Sequence, residues 1–207
     1  MKDDMLKDKD IREPLFEYLD EQYGKNRIIE EKQIGKSRAD VMMVTEDALW
    51  GIEIKSDADT FVRLERQVKD YNRFFDYNMV VVGSTHAMHV AEHLPEYWGI
   101  LSVEKIGEQF DFYVVREPVR NPKREKAVLF RNQVSFLWRP ELAHIQEINE
   151  LPKYNYLGKD KLIRKMIEKL PQERLKKQVC EELMERDYNT IKERIENYKE
   201  KKNETGL

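Results

Sequence analysis

The sequence predicts an α/β fold with a mixed sheet, in the element order αβββαβ, followed by an all-helical C-terminal extension. Three observations carry this expectation. Asp40–Val44 and Leu49–Ser56 are two strand-like runs joined by the polar turn Thr45-Glu46-Asp47-Ala48. Met79-Val80-Val81-Val82 is an uninterrupted apolar run, as a central strand reached by a helical crossover requires. After the stiff, basic loop 116–126, which holds Pro118 and Pro122, apolar residues recur only at helical spacing. The boundary is therefore drawn at 116/117, giving a core of residues 1–116 and a helical region of residues 117–207.

Taken in order, Asp8 to Gln22 reads as a helix, with Ile11, Leu15, Phe16 and Leu19 at helical spacing and Pro14 placed in its first turn. Arg27 to Ile34 is the first strand. Gly35-Lys36-Ser37 turns into the Asp40 strand. Leu49 to Ser56 alternates, with Trp50, Ile52 and Ile54 on one face and Glu53 and Lys55 on the other. Asp59 to Asp76 is read as a helix with Phe61, Leu64, Val68, Tyr71 and Phe75 as its apolar face, capped by Asp57 or Asp59. Thr85 to Leu94 is read as a surface helix; its His89 and His93 share a face, but no third ligand accompanies them. Ile100–Val103 and Phe110–Val115 read as closing edge strands. Helices then follow over Ala127–Leu137, Glu141–Asn149, Lys159–Leu170, Pro171–Arg186 and Asn189–Lys202.

Composition narrows the class. The chain has 207 residues, 40% hydrophobic and 37% charged, with a formal net charge of −3. Residues 1–110 carry 15 Lys and Arg against 23 Asp and Glu, whereas residues 151–207 carry 15 against 11. An acidic half thus precedes a more basic one. The lone Cys180 excludes a disulfide framework and a C-x2-C zinc pair. No apolar run reaches the ~18 residues of a membrane span. The start Met1-Lys2-Asp3-Asp4 lacks an apolar signal region, so the expected location is cytoplasmic.

The chemistry concentrates in the hairpin. Glu53 and Lys55 stand two apart on one strand, about 7 Å apart at Cβ, and Asp40 on the neighbouring strand falls beside Glu53. Two carboxylates and an ammonium suit a hard cation such as Mg²⁺ or Mn²⁺, which takes oxygen ligands and keeps waters. Asp40 and Glu53 are the expected ligands, with the Ile54 carbonyl as a third oxygen and Lys55 facing the attacking water. Glu30 is a further candidate ligand on the first strand. Arg38, two residues before Asp40, either binds a phosphate or pairs with an acid.

At these residues the chain resembles the PD-(D/E)xK nuclease superfamily, whose signature is an acid, a spacer and then (D/E)-x-K on the next strand. Here it stands as Asp40, then Glu53-Ile54-Lys55. Gln67-Val68-Lys69-Asp70-Tyr71 matches the Q-x3-Y element that follows in RecB-like members, and the run also resembles a DNA-repair-like bacterial and phage branch. The resemblance covers residues 10 to 103 and implies a restriction-endonuclease-like core. It implies catalytic roles for Asp40, Glu53, Lys55, Gln67 and Tyr71, metal-dependent hydrolysis of DNA, and a first-helix acid, Glu13 or Glu17, reaching the metal. Arg63 and Arg66 beside the Gln67 helix, and Arg120, Lys123 and Arg124 in the basic loop, are candidate phosphate contacts. Two other readings stay open: a non-catalytic nucleic-acid- or protein-binding module that keeps the fold, and a homodimer formed through the C-terminal helices.

Overall fold

The computed structural model describes residues 6–56, 59–124 and 126–187. Its centre is a six-stranded mixed sheet in the order β1 (Arg27–Ile34), β2 (Ser37–Val44), β3 (Leu49–Lys55), β4 (Tyr77–Gly83), β5 (Gly99–Ile106) and β6 (Gln109–Arg116). The pairs β1–β2, β2–β3 and β5–β6 are antiparallel; β3–β4 and β4–β5 are parallel. The antiparallel pairs are joined by short turns. Gly35, at φ +60°, supplies the left-handed turn between β1 and β2, and Thr45 N–H donates to Ala48 O at 3.0 Å between β2 and β3. The parallel pairs need crossovers, supplied by α2 (Leu64–Tyr71) and α3 (Ser84–Val90).

Each face of the sheet buries its own cluster. α1 (Asp8–Tyr23) lays Ile11, Leu15 and Leu19 against Val41, Met43, Ile52, Ile54, Val81 and Leu101. Pro14 lies inside α1, in its second turn, and the helix continues past it because this apolar stripe is packed. The opposite face is covered by α2, α3 and the C-terminal helices α4 (Ala127–Val134), α5 (Arg139–Ile148), α6 (Lys159–Lys169) and α7 (Gln172–Glu185). Leu142, Ile145, Leu162, Met166, Leu175 and Val179 share one cluster with Met42, Val44, Tyr71 and Val80. The region after residue 116 thus packs onto the sheet, and the apolar faces read from its sequence are used within the chain. The expected helix 189–202 lies outside the described residues.

Buried polar ties fix this packing. Asp76, at the start of β4, accepts from Leu49 N–H at 2.8 Å, from Gln133 Nε2 at 3.1 Å and from the Lys176 ammonium. Arg186 meets both Glu141 oxygens, at 2.6 and 2.7 Å. Among the described residues, no helix is long and apolar enough to cross a membrane.

Three expectations are corrected. β5 is an inner strand, because Ile100, Leu101 and Val103 are buried between two hydrogen-bonded neighbours; β6 alone closes that side. The helix expected over 59–76 is a 3₁₀ turn at Phe61–Arg63 followed by the short α2, and the chain then turns back through Phe74 and Phe75, whose N–H groups donate to Tyr71 O. Asp59 caps no helix: its carboxylate accepts from Ser56 N–H at 2.8 Å and Ser56 Oγ at 2.7 Å.

α2 can approach β3 this closely only because position 51 is glycine. A methyl group there would lie 2.6 Å from Tyr71 Cδ1 and overlap the Phe75 ring. Gly51→Ala is therefore expected to destabilise the fold by about 1–3 kcal/mol through overpacking, read as a lower urea midpoint. An unchanged midpoint would contradict this packing.

Candidate functional site

The site forms where β2 and β3 part. Their ladder runs from Val44↔Leu49 to Val41↔Ile52. Beyond that pair, side chains replace strand partners: Ile54 N–H donates to Asp40 Oδ2 at 2.9 Å, and Asp40 N–H donates to Tyr71 Oη at 3.3 Å. The parted strands leave the floor of a cleft.

Glu53 is the hub of that floor. It is 1% exposed and every residue of β3 is buried, so its charge must be met by donors. Lys55 Nζ lies 2.6 Å from Glu53 Oε1, and Gln67 Nε2 donates to the same oxygen. Tyr71 Oη donates to Glu53 Oε2 at 2.6 Å. Gln67 and Tyr71 stand four residues apart on α2, and that spacing brings both onto one carboxylate. The Tyr71 ring is also core, tilted against Phe75 and Trp98 at centroid distances of 5.4 Å each.

The electrostatics follow from burial. Asp40 is pushed up to about 7, first by burial and then by the Glu53 charge, with the Ile54 N–H pulling the other way. The Tyr71 phenol is held well above its usual range by burial and by the charges of Glu53 and Asp40, so it remains a donor.

The cleft has a volume of about 590 Å³. Asp8, Asp40, Glu53, Ile54, Lys55 and Gln67 line it, together with Lys36, Arg38, Arg63 and Arg66. Arg38, Arg63 and Arg66 are exposed, and Arg38 is also ion-paired with Glu31. The five residues expected to act together therefore do meet, and three of the six candidate phosphate contacts stand around them.

Other candidates lie elsewhere. Glu13 is exposed on α1 and does not line the cleft. Glu30 turns to Arg12 at 2.9 Å and does not line it either. The α1 acid that does is Asp8, whose Oδ1 is buried without a hydrogen-bond partner. Arg12 holds Asp8 Oδ2 at 2.9 Å, contacts Glu30 and Glu31, and donates to Asp40 O at 3.4 Å. Sequence reading passed over both, although an acid in a first helical turn with Arg four residues on is a visible pattern. The Arg120, Lys123 and Arg124 loop sits at the other end of the sheet. Asn121 N–H donates to Asp76 O at 2.6 Å, and Arg120 lies over the Tyr77 ring, where β4 begins.

Do these residues suit a divalent cation? Two oxygens in the cleft, Asp8 Oδ1 and Gln67 Oε1, are buried and unsatisfied, and the Asp40 and Glu53 carboxyls crowd one another. Such an oxygen-rich set fits a hard cation that retains waters. Glu53 Oε1 already has two protein donors, whereas Oε2 takes only Tyr71 and keeps a lone pair for a ligand. Among the described residues, no three His, Cys, Asp or Glu side chains gather closely enough to hold a metal by themselves.

Residues 1–205 match the family described as Bacteriophage P4 protein cII. No curated protein matches the chain. One similar solved structure is SfsA of Pyrococcus furiosus in complex with Ca²⁺, 17% identical over 51% of this chain and 59% of that one. Its TM-score is 0.32, a likeness too loose to carry an argument.

The raised Asp40 carboxyl sets a pH dependence for the metal-free protein. An unfolded aspartate titrates near 3.9, so the folded state binds the proton more tightly and loses stability as pH rises from about 4 through 7. The span corresponds to at most about 4 kcal/mol. Asp40→Asn removes this titration and can still accept from Ile54 N–H. In EDTA, the melting temperature of the wild type relative to the variant should fall by several degrees between pH 5 and pH 8. A difference that stays constant with pH would show that Asp40 titrates normally.

Proposed function

This chain belongs to the Bacteriophage P4 protein cII family, and we propose that this member is a metal-dependent DNA nuclease of the PD-(D/E)xK type. It would hydrolyse phosphodiester bonds in DNA repair, recombination or phage and mobile-element biology. The observation that carries the reading is the convergence of Asp40, Lys55, Gln67 and Tyr71 on Glu53 within one cleft with exposed arginines around it. The element order α1-β1-β2-β3-α2-β4 supports it, being that of a restriction-endonuclease-like core.

In this reading Asp40 and Glu53, with the Ile54 carbonyl, would hold Mg²⁺ or Mn²⁺. When bound there, the cation would supply a water of lowered pKa and neutralise charge on the phosphoryl group. Lys55, 8% exposed, keeps its ammonium at the floor of the cleft, where it orients the attacking water and stabilises developing negative charge. Gln67 and Tyr71 fix the Glu53 carboxylate. Arg38, Arg63 and Arg66 position the DNA backbone without reading its sequence.

One observation favours a second reading, a nucleic-acid- or protein-binding module that keeps the fold. Both Glu53 oxygens have protein donors, as those of a purely structural buried carboxylate would.

The test is incubation with labelled single-stranded, duplex and branched DNA in Mg²⁺, Mn²⁺ or EDTA, beside Glu53→Ala and Lys55→Ala checked for folding by circular dichroism. Cleavage is expected only with metal, and to fall about 10²–10³-fold in each variant. Cleavage by Lys55→Ala at the wild-type rate would overturn the mechanism. DNA binding that needs no metal and survives Glu53→Ala, with no cleavage of any substrate, would establish the binding module.

A further inference from the structure

A second charged cluster lies outside the cleft, on the helix-covered side of β1. Three cations converge on the segment joining α4 and α5. Lys159 Nζ donates to Ser135 O at 2.8 Å, Arg186 Nη2 donates to Phe136 O at 3.0 Å, and Lys32 Nζ stands 5.1 Å from the Phe136 ring centroid. The acids nearby are already engaged. Glu141 takes Arg186 through both oxygens and also accepts Trp138 N–H. Asp160 is paired with Arg131 and with Arg164.

Lys32 and Lys159 are thus left in excess. Among the described residues, the Lys32 ammonium has no hydrogen-bond or ion-pair partner, although the side chain is half-buried. The Phe136 ring face and the more distant Glu141 charge are what the fold sets against that burial. Burial and the Arg186 and Lys159 charges push Lys32 down to about 8, and burial lowers Lys159 as well. A lysine on an edge strand often serves only to block strand pairing. Lys32 does not take that outward course: it turns onto the covered face, over Phe136, where it meets other cations. Lys32 also stands on the β1–β2 hairpin that carries Lys36 and Arg38 into the cleft.

We infer that the Lys32 and Lys159 ammonium groups, gathered with Arg186 around Ser135 and Phe136, form a binding site for a phosphate group. Lys32 has three donors free and Lys159 has two beyond its bond to Ser135 O. The phosphate comes either from a nucleic-acid backbone or from free inorganic phosphate, and the experiment separates the two.

The full-length wild type, Lys32→Gln and Lys159→Gln are melted in sodium phosphate and in sodium chloride of equal ionic strength. A 5′-labelled single-stranded oligonucleotide is titrated by fluorescence anisotropy across a salt series. Both measurements are made in EDTA, so they are independent of any cleavage, and a negative result here leaves the reading of the cleft standing. Phosphate is expected to raise the wild-type melting temperature above the chloride value, and each variant to lose that excess. In chloride, Lys32→Gln should melt at or above the wild-type temperature, because it removes a half-buried cation that no carboxylate pairs.

A salt slope for the oligonucleotide that falls by about one per lysine removed assigns the site to a nucleic-acid backbone. An unchanged slope, with the phosphate effect still lost in the variants, assigns it to free phosphate. The inference fails if phosphate acts no differently from chloride and the slope is unchanged. It fails if the phosphate effect persists in both variants. It also fails if Lys32→Gln melts far below the wild type in chloride, since Lys32 would then be structural.

Discussion

A carboxylate buried in the middle of a sheet constrains everything around it. Glu53 is almost wholly shielded on β3, and an unpaired charge there would cost several kcal/mol. Lys55 can reach it only because the two share a face of the same strand. Gln67 and Tyr71 can reach it only if α2 crosses directly above, and α2 can lie there only because Gly51 has no side chain. Strand pairing, helix position and the glycine at position 51 thus serve a single charge. The Asp76–Lys176–Gln133 network at the other end of β3 is built on the same principle, but all three of its side chains are buried.

The difference between those two ends is what makes the Glu53 end a candidate for chemistry. Near Asp76, acid and base are matched and sealed. Near Glu53, a second carboxyl, Asp40, has been brought in without a cation of its own, and burial and its neighbour push it up to about 7. Buried oxygens on Asp8 and Gln67 are unsatisfied there, and the space beside them opens to solvent between Lys36, Arg38, Arg63 and Arg66. Crowded acids around an open cleft leave room for a positive charge from outside the chain.

Much of this was legible in the residues. The turn Thr45–Ala48 and the alternation after it place Glu53 and Lys55 together, and the Gln67–Tyr71 spacing places both on one stripe of α2. What alternation could not show was that β3 is buried on both faces, because that depends on the helices packed above it. The inner position of β5 was missed for a related reason: a short apolar run reads alike whether one or two neighbours pair with it. The α1 acid was expected at Glu13 or Glu17, neither of which lines the cleft, because helical phase alone does not say which end of a helix meets the strands. The structure puts Asp8 there, oriented by Arg12, which binds β1 and β2 at once. The apolar faces of the C-terminal helices were plain in the sequence, but their partner, the sheet, was not.

The central claim is that the Glu53 cluster is a cation site and not only a buried ion pair. Isothermal titration of Mn²⁺ into the DNA-free protein tests it most directly, with Glu53→Gln as comparison because its amide oxygen can still accept from Lys55 and Gln67 while the Tyr71 hydroxyl can turn to Ile52 O, 3.2 Å away. The account predicts one Mn²⁺ bound per chain in the wild type and none in folded Glu53→Gln. An identical isotherm for the two proteins, or no uptake by the wild type, would contradict it.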